Sequence, residues 1–224
     1  MNVAFSNGII ETGDDSLERD RLFVGNGRIQ VWPATLPDDT ELIDLGGGYL
    51  RAGFADGHAH PFLGGREWLG PKLRHCESVD EIVQEVQLWG EQNPDATWIA
   101  GGSYDATIVP GGLFEATWLD AIRRPVVLRS WDYHTVWCNS RALQLADITA
   151  ETEDPPFGKI VRRKDGTPTG TLLEAATSLV LDLVPEPSMG QRVEILSDAT
   201  QLLASHGITW AQEAWAENHE LPAW

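Results

Sequence analysis

His58 and His60 are separated by one alanine in the segment Gly53-Phe54-Ala55-Asp56-Gly57-His58-Ala59-His60. In a β-strand, residues i and i+2 point to the same face, so this spacing aims both imidazoles at one point. Two neutral imidazoles are good ligands for zinc and other borderline first-row divalent metals. A pair of surface histidines in a loop would show the same three-residue pattern, and the pattern by itself leaves both readings open.

The elements around the pair are legible. Before it come short apolar runs punctuated by turns. Val3–Phe5 and Gly8–Glu11 flank Asn7-Gly8, and Leu22–Val24 and Arg28–Trp32 flank Asn26-Gly27. Asn-Gly between short apolar runs is a strong hairpin signal, because both residues tolerate positive φ. Glu41–Leu45 adds a further strand, closed by Gly46-Gly47-Gly48. Tyr49–Gly57 then reads as a buried strand that delivers the histidines to a loop. Ser78 and Glu81 form a capping box ahead of a helical stripe at Ile82, Val86 and Trp89. Trp98–Gly101 and Val126–Ser130 read as strands. Asn139 or Ser140 caps a short helix, and Lys159–Arg163 and Gly170–Leu172 flank a turn at Asp165-Gly166. Ala175–Val184 and Ser188–Ser205 read as helices, with Gly207 where a C′ glycine belongs before a strand at Ile208–Gln212.

Composition narrows the function. The 224 residues carry 16 Lys and Arg against 34 Asp and Glu, a net charge of −18. A basic face for nucleic acid is therefore not expected, nor is attraction to an anionic membrane surface. Hydrophobic residues make up 42%, enough for a globular core. Cys76 and Cys138 allow at most one disulfide. No apolar run reaches the roughly 18 residues of a membrane span. The start, MNVAFSNGII, shows no basic segment followed by an apolar one, which predicts a cytoplasmic protein.

The stretch Asp44-Leu45-Gly46-Gly47 followed by Gly53-Phe54-Ala55-Asp56-Gly57-His58-Ala59-His60 resembles the amidohydrolase superfamily. Later segments resemble its family 3, the group that includes N-substituted formamide deformylases. They are Trp98-Ile99-Ala100-Gly101-Gly102-Ser103-Tyr104-Asp105, Asp132-Tyr133-His134 through Trp137-Cys138-Asn139-Ser140 to Leu143, and Gly166-Thr167-Pro168-Thr169-Gly170-Thr171-Leu172-Leu173-Glu174. Three positions depart from the family pattern. Ala52 replaces the usual Pro, Tyr104 the usual Trp, and Tyr133 the usual Gly before the His.

The resemblance implies an α/β fold, the N-terminal part of a metal-dependent hydrolase (β/α)8 barrel that is incomplete within these residues. A small β-sandwich domain would occupy residues 1–50. Residues 51–224 would form the barrel part, with an inserted mixed α+β segment at about 76–185. It implies one or two divalent metals, zinc first, held by His58, His60 and Glu174, with His134, Asp132, Tyr104, Asp105 and Trp137 about a small amide or formamide substrate. Several of these have plainer roles open to them. Glu174 could be a solvated helix-start Glu, His134 a hydrogen-bonded structural histidine, and Asp132 and Asp105 turn formers. Asp56 is expected behind the ligands and Glu213 at a strand end, either facing the barrel mouth or in a salt bridge. His75 and Cys76 are adjacent, so their side chains diverge.

The implied reaction is hydrolysis of a non-peptide C–N bond by a metal-activated hydroxide. The proton-shuttling Asp and two further ligand histidines of the family are expected beyond residue 224, and His206 and His219 are not in positions to replace them. The competing expectation is a truncated, non-catalytic fragment that needs the missing C-terminal half. The full-length form would be a candidate homo-oligomer.

Overall fold

The computed structural model describes residues 1–11, 13, 20–216 and 221–223. His219 and most of the acidic segment Glu11–Asp20 lie outside the described residues. The chain divides into two compact units, residues 1–57 with 203–212, and residues 58–202 with 213–224.

The first unit holds strands β1 (Asn2–Ser6), β2 (Ile9–Glu11), β3 (Arg21–Gly25), β4 (Arg28–Gln30), β5 (Thr40–Asp44) and β6 (Tyr49–Arg51). β3 and β4 form the expected hairpin, with Asn26 and Gly27 both at positive φ. The hairpin expected at Asn7-Gly8 does not form. β1 joins a four-stranded sheet in the order β4-β3-β1-β5, whereas β2 pairs in parallel with β6. Asn7 takes the left-handed region, but the Asn7 amide is committed to Asp44 Oδ1 at 2.7 Å, so the turn hands the chain to another strand. The run 49–57 also differs from expectation. It is two strands, β6 and β7 (Phe54–Ala59), and β7 is largely exposed. β7 pairs with β13 (Ile208–Glu213).

In the second unit α1 (Pro61–Arg66) follows His60 directly, started by a proline at its first position. Gly65 lets α1 lie against α5 (Met189–Ser205), since a Cβ there would come 2.7 Å from Ile195 Cγ2. Phe62, Ile195 and Leu196 seal that contact. α2 (Val79–Gln92) starts at Ser78, whose hydroxyl accepts from the Glu81 N–H, and Glu81 returns to the Glu77 N–H. Arg124 ties down its C-terminal end, donating to Gly90 O in the last turn, to the C-cap Asn93 O at 2.7 Å and, past the helix, to Ala96 O at 3.0 Å.

The centre of this unit is a mixed five-stranded sheet in the order β11-β12-β10-β9-β8. Its strands are β8 (Ile99–Tyr104), β9 (Val126–Ser130), β10 (Thr135–Cys138), β11 (Gly158–Arg162) and β12 (Pro168–Glu174). Side-chain alternation sorts it into two faces. Val126, Leu128 and Trp137 join Ile82 and Val86 of α2 in one core. Val127, Val136 and Cys138 join Ala142 and Leu143 of α3 (Ser140–Leu145) and Val180 of α4 (Ser178–Leu181) in the other. None of the four sheets closes on itself among the described residues. Cys76 and Cys138 are both buried and free.

Candidate functional site

His58 is the penultimate residue of β7, and His60 is the N-cap of α1. Their rings stand edge to face with centroids 5.0 Å apart. His60 is further fixed by Glu213 at the end of β13, whose Oε1 lies 3.0 Å from His60 Nδ1 and also accepts the Trp215 N–H at 2.8 Å. With Nδ1–H donating to the carboxylate, His60 presents the Nε2 lone pair, the tautomer a metal needs. Glu213 Oε2 is buried without a hydrogen-bond partner among the described residues. An orphaned carboxylate oxygen beside an oriented imidazole suits a nearby cation, so the residues present fit part of a divalent-metal site. They supply two imidazole ligands. Among the described residues no three His, Cys, Asp or Glu side chains converge as a complete set.

His60 also lines a cavity of about 1070 Å³ in the second unit, and so do Asp132, His134 and Glu174. Glu174 stands with His134, its Oε2 2.9 Å from His134 Nδ1, and the Glu174 N–H donates to His134 O at 2.8 Å. The hydrogen bond to Glu174, with the attraction of its charge, raises the His134 pKa above the ordinary histidine value. Asp132 Oδ1 accepts from the His134 N–H at 3.0 Å and from the Ser130 hydroxyl, so Asp132 shapes the turn that presents His134. A second cavity, of about 530 Å³ beside Ser140 and Arg163, holds none of the candidate residues.

Three expected substrate contacts are placed elsewhere. Tyr104 and Trp137 are fully buried in the α2-side core, with Tyr104 against Phe114 at 4.8 Å between centroids. Alternation explains Trp137, because it faces away from Val136 and Cys138. A bulge between Gly102 and Tyr104 explains Tyr104, turning its ring into the core. The Trp137 indole N–H donates to Glu115 O at 3.0 Å. Burial pushes the Tyr104 phenol pKa up. Asp105 caps a short helical turn by accepting from the Thr107 N–H at 2.8 Å and is not among the cavity-lining residues.

The cavity holds a polar cluster that sequence reasoning missed. Glu67 receives the Arg74 fork at 3.0 and 2.9 Å and also accepts from the Ser103 and Tyr133 hydroxyls. Ser103, Tyr133 and Glu174 all line the cavity and all adopt positive φ, at 65°, 65° and 51°. Left-handed backbone at non-glycine residues costs of order 1 kcal/mol or more and gathers at functional sites. The signal was visible at Tyr133, which stands where the family resemblance expects glycine. Here a tyrosine holds the glycine conformation, and its hydroxyl is anchored on Glu67.

Burial, then the hydrogen bond to Glu67, pushes the Tyr133 pKa up to about 12. A raised folded-state value means that the Tyr133 contribution to stability is complete below the free phenol value near 10 and is lost as pH rises through about 12. Alkaline unfolding of the wild type should therefore steepen in that window. Tyr133→Phe should flatten it and remove one phenolate absorbance step, and an unchanged profile would contradict the Glu67 anchor.

The fold agrees with solved metal-dependent hydrolases. An uncharacterised one from Pyrococcus horikoshii OT3 superposes on all of this chain with a TM-score of 0.67 at 20% identity, and the chain covers 45% of it. The amidohydrolase family model matches residues 41–224, and the chain belongs to that family. Protein LONG AFTER FAR-RED 3 of Arabidopsis thaliana is 34% identical over 93% of this chain and 37% of its own length. The N-substituted formamide deformylase of Arthrobacter pascens is 30% identical over 71% of this chain and 31% of its own length. The chain thus spans about a third of the curated relatives it matches. Among the described residues no helix is long and apolar enough to cross a membrane.

Proposed function

We propose that these residues belong to a cytoplasmic metal-dependent hydrolase that cleaves non-peptide C–N bonds of small amides or formamides. They would build the first strands of a (β/α)8 barrel together with its small β domain and an inserted sheet. The observation that carries the reading is the edge-to-face pair of His58 and His60, with His60 oriented by Glu213 at the wall of a large cavity. Family membership and the formamide deformylase relative support the bond class.

His58 and His60 would hold the metal, zinc by the softness of the donors, and further ligands would come from outside the described residues. The metal would supply Lewis-acid polarisation of the carbonyl and a nucleophile competent at neutral pH. The chain's own residues do the rest. Glu213 fixes the His60 tautomer. Glu174 holds His134 by Nδ1 and favours its protonated form, so His134 Nε2–H can donate to the substrate carbonyl oxygen. Asp132 keeps the turn that presents His134. The Glu67 cluster fixes the neighbouring wall.

The test is hydrolysis of N-substituted formamides and N-acyl amines by the natural polypeptide carrying these residues, with zinc restored after chelation. His134→Ala should lower kcat about 100-fold, the usual loss for a positioned donor. Turnover that survives both chelation and His58→Ala with His60→Ala would reject the reading.

A further inference from the structure

Among the described residues, one arginine on the cavity wall has no acidic partner. Arg66 is tied to Glu186 at 3.2 Å and Arg74 to Glu67 at 2.9 Å. Arg129, on the same wall, has no ion pair or carboxylate hydrogen bond among the described residues, and burial, with Arg66 nearby, disfavours its charged form. Its contact is the face of the Tyr133 ring, 5.8 Å from guanidinium carbon to centroid. In a chain of net charge −18, a half-buried guanidinium left without a carboxylate is unusual. A desolvated cation is costly unless something pairs with it.

The sheet keeps the space beside this side chain open. β9 alternation puts Arg129 on the same side as Val127, and both line the cavity. The residue registered against Arg129 on β8 is Gly102, and the one against Val127 is Ala100. A side chain cannot be added at Gly102, because its Cβ would lie 2.5 Å from Arg129 O. The floor next to the guanidinium therefore carries no side chain from Gly102, and Val127, Leu181 and Val184 are among the apolar residues that line the cavity. Tyr133 stacks on the guanidinium and limits its motion. A planar, pre-oriented guanidinium matches a carboxylate through two parallel N–H···O bonds.

We infer that Arg129 anchors a carboxylate on the substrate, so that the cavity takes N-acyl or N-formyl amino acids in preference to neutral amides. The inference rests on the reading of the cavity as a substrate site and deepens it. A site built to pair a charge discriminates strongly against the analogue that lacks it, because its own group is then left unpaired.

The experiment measures binding to the metal-free full chain, so it does not depend on turnover. N-acetyl-leucine and N-acetyl-leucinamide differ in the acid group, and Trp89, Trp98 and Trp215 on the cavity wall report occupancy by fluorescence. The acid should bind at least about tenfold tighter than the amide. Arg129→Met should erase the difference, and Arg129→Lys should keep part of it. Equal affinities in the wild type, or no binding of either compound, would overturn the inference without any variant having to fold. Stronger competition by inorganic phosphate than by acetate would overturn the carboxylate assignment. A preference for the acid with no hydrolysis of any N-acyl compound would leave the anchor standing and reject the hydrolase reading. Hydrolysis without the preference would do the reverse.

Discussion

Asn139→Ala is expected to unfold the sheet-bearing unit under conditions where the wild type is intact. Asn139 is fully buried and its amide is saturated. Oδ1 accepts from the Val126 N–H at 3.0 Å and from the Ala142 N–H at 2.9 Å. Nδ2 donates to Ile122 O at 3.1 Å and to Arg124 O at 2.8 Å. One side chain thus starts β9, caps α3 and holds the loop between Ile122 and Arg124. Truncation leaves two buried donors and two buried acceptors unpaired, each worth roughly 1 kcal/mol or more. The loss is about 4–6 kcal/mol before any cavity is counted, a large share of an ordinary domain's stability of about 5–15 kcal/mol. Asn139→Asp should be nearly as damaging. It keeps the two acceptor contacts but turns an oxygen toward two carbonyls and buries a charge. Chemical denaturation with circular dichroism would read both, and a loss below about 1 kcal/mol for Asn139→Ala would contradict the hub.

Asn139 also shows how far the sequence reaches. Its role as a helix cap was readable from Asn139-Ser140 ahead of an apolar run, because capping is a local interaction. Its bonds to Ile122, Arg124 and Val126 were not, because they depend on how β9 and β10 come together. The same division runs through the molecule. The Ser78 cap of α2, the Asn26-Gly27 hairpin and the β11–β12 pair form as expected, since their turns and caps contain the whole signal; the Glu81 side chain reaches back one residue further than a capping box has it, to the Glu77 N–H. The Asn7-Gly8 hairpin fails because the partner of β2 lies forty residues later, at Tyr49–Arg51. The convergence of His58 and His60 follows from their spacing. The pairing of His134 with Glu174 and of Glu67 with Tyr133 joins residues 40 and 66 positions apart, which no local pattern encodes. The family resemblance implies Tyr104 and Trp137 at the substrate. Strand alternation and one bulge put them in the core instead.

Removing either imidazole of the His58–His60 pair is expected to lower the affinity for zinc or cobalt by about 100-fold or more, since each supplies one of very few donors. The more informative variant is Glu213→Gln. It preserves the size of the side chain and an acceptor oxygen, but the amide can turn its NH2 toward His60 and reverse the tautomer. Loss of a carboxylate that orients a ligating imidazole costs about 10- to 100-fold in metal affinity. The side chain is 11% exposed, so water cannot easily take its place. The competing reading makes Glu213 a strand-end ion pair that holds β13 in place, and it predicts a loss of thermal stability with unchanged metal affinity. The two separate cleanly when cobalt absorbance and melting temperature are measured on the same samples. Weakened cobalt binding at an unchanged melting temperature establishes Glu213 as the group that orients His60. A lower melting temperature with wild-type cobalt binding assigns it to the strand.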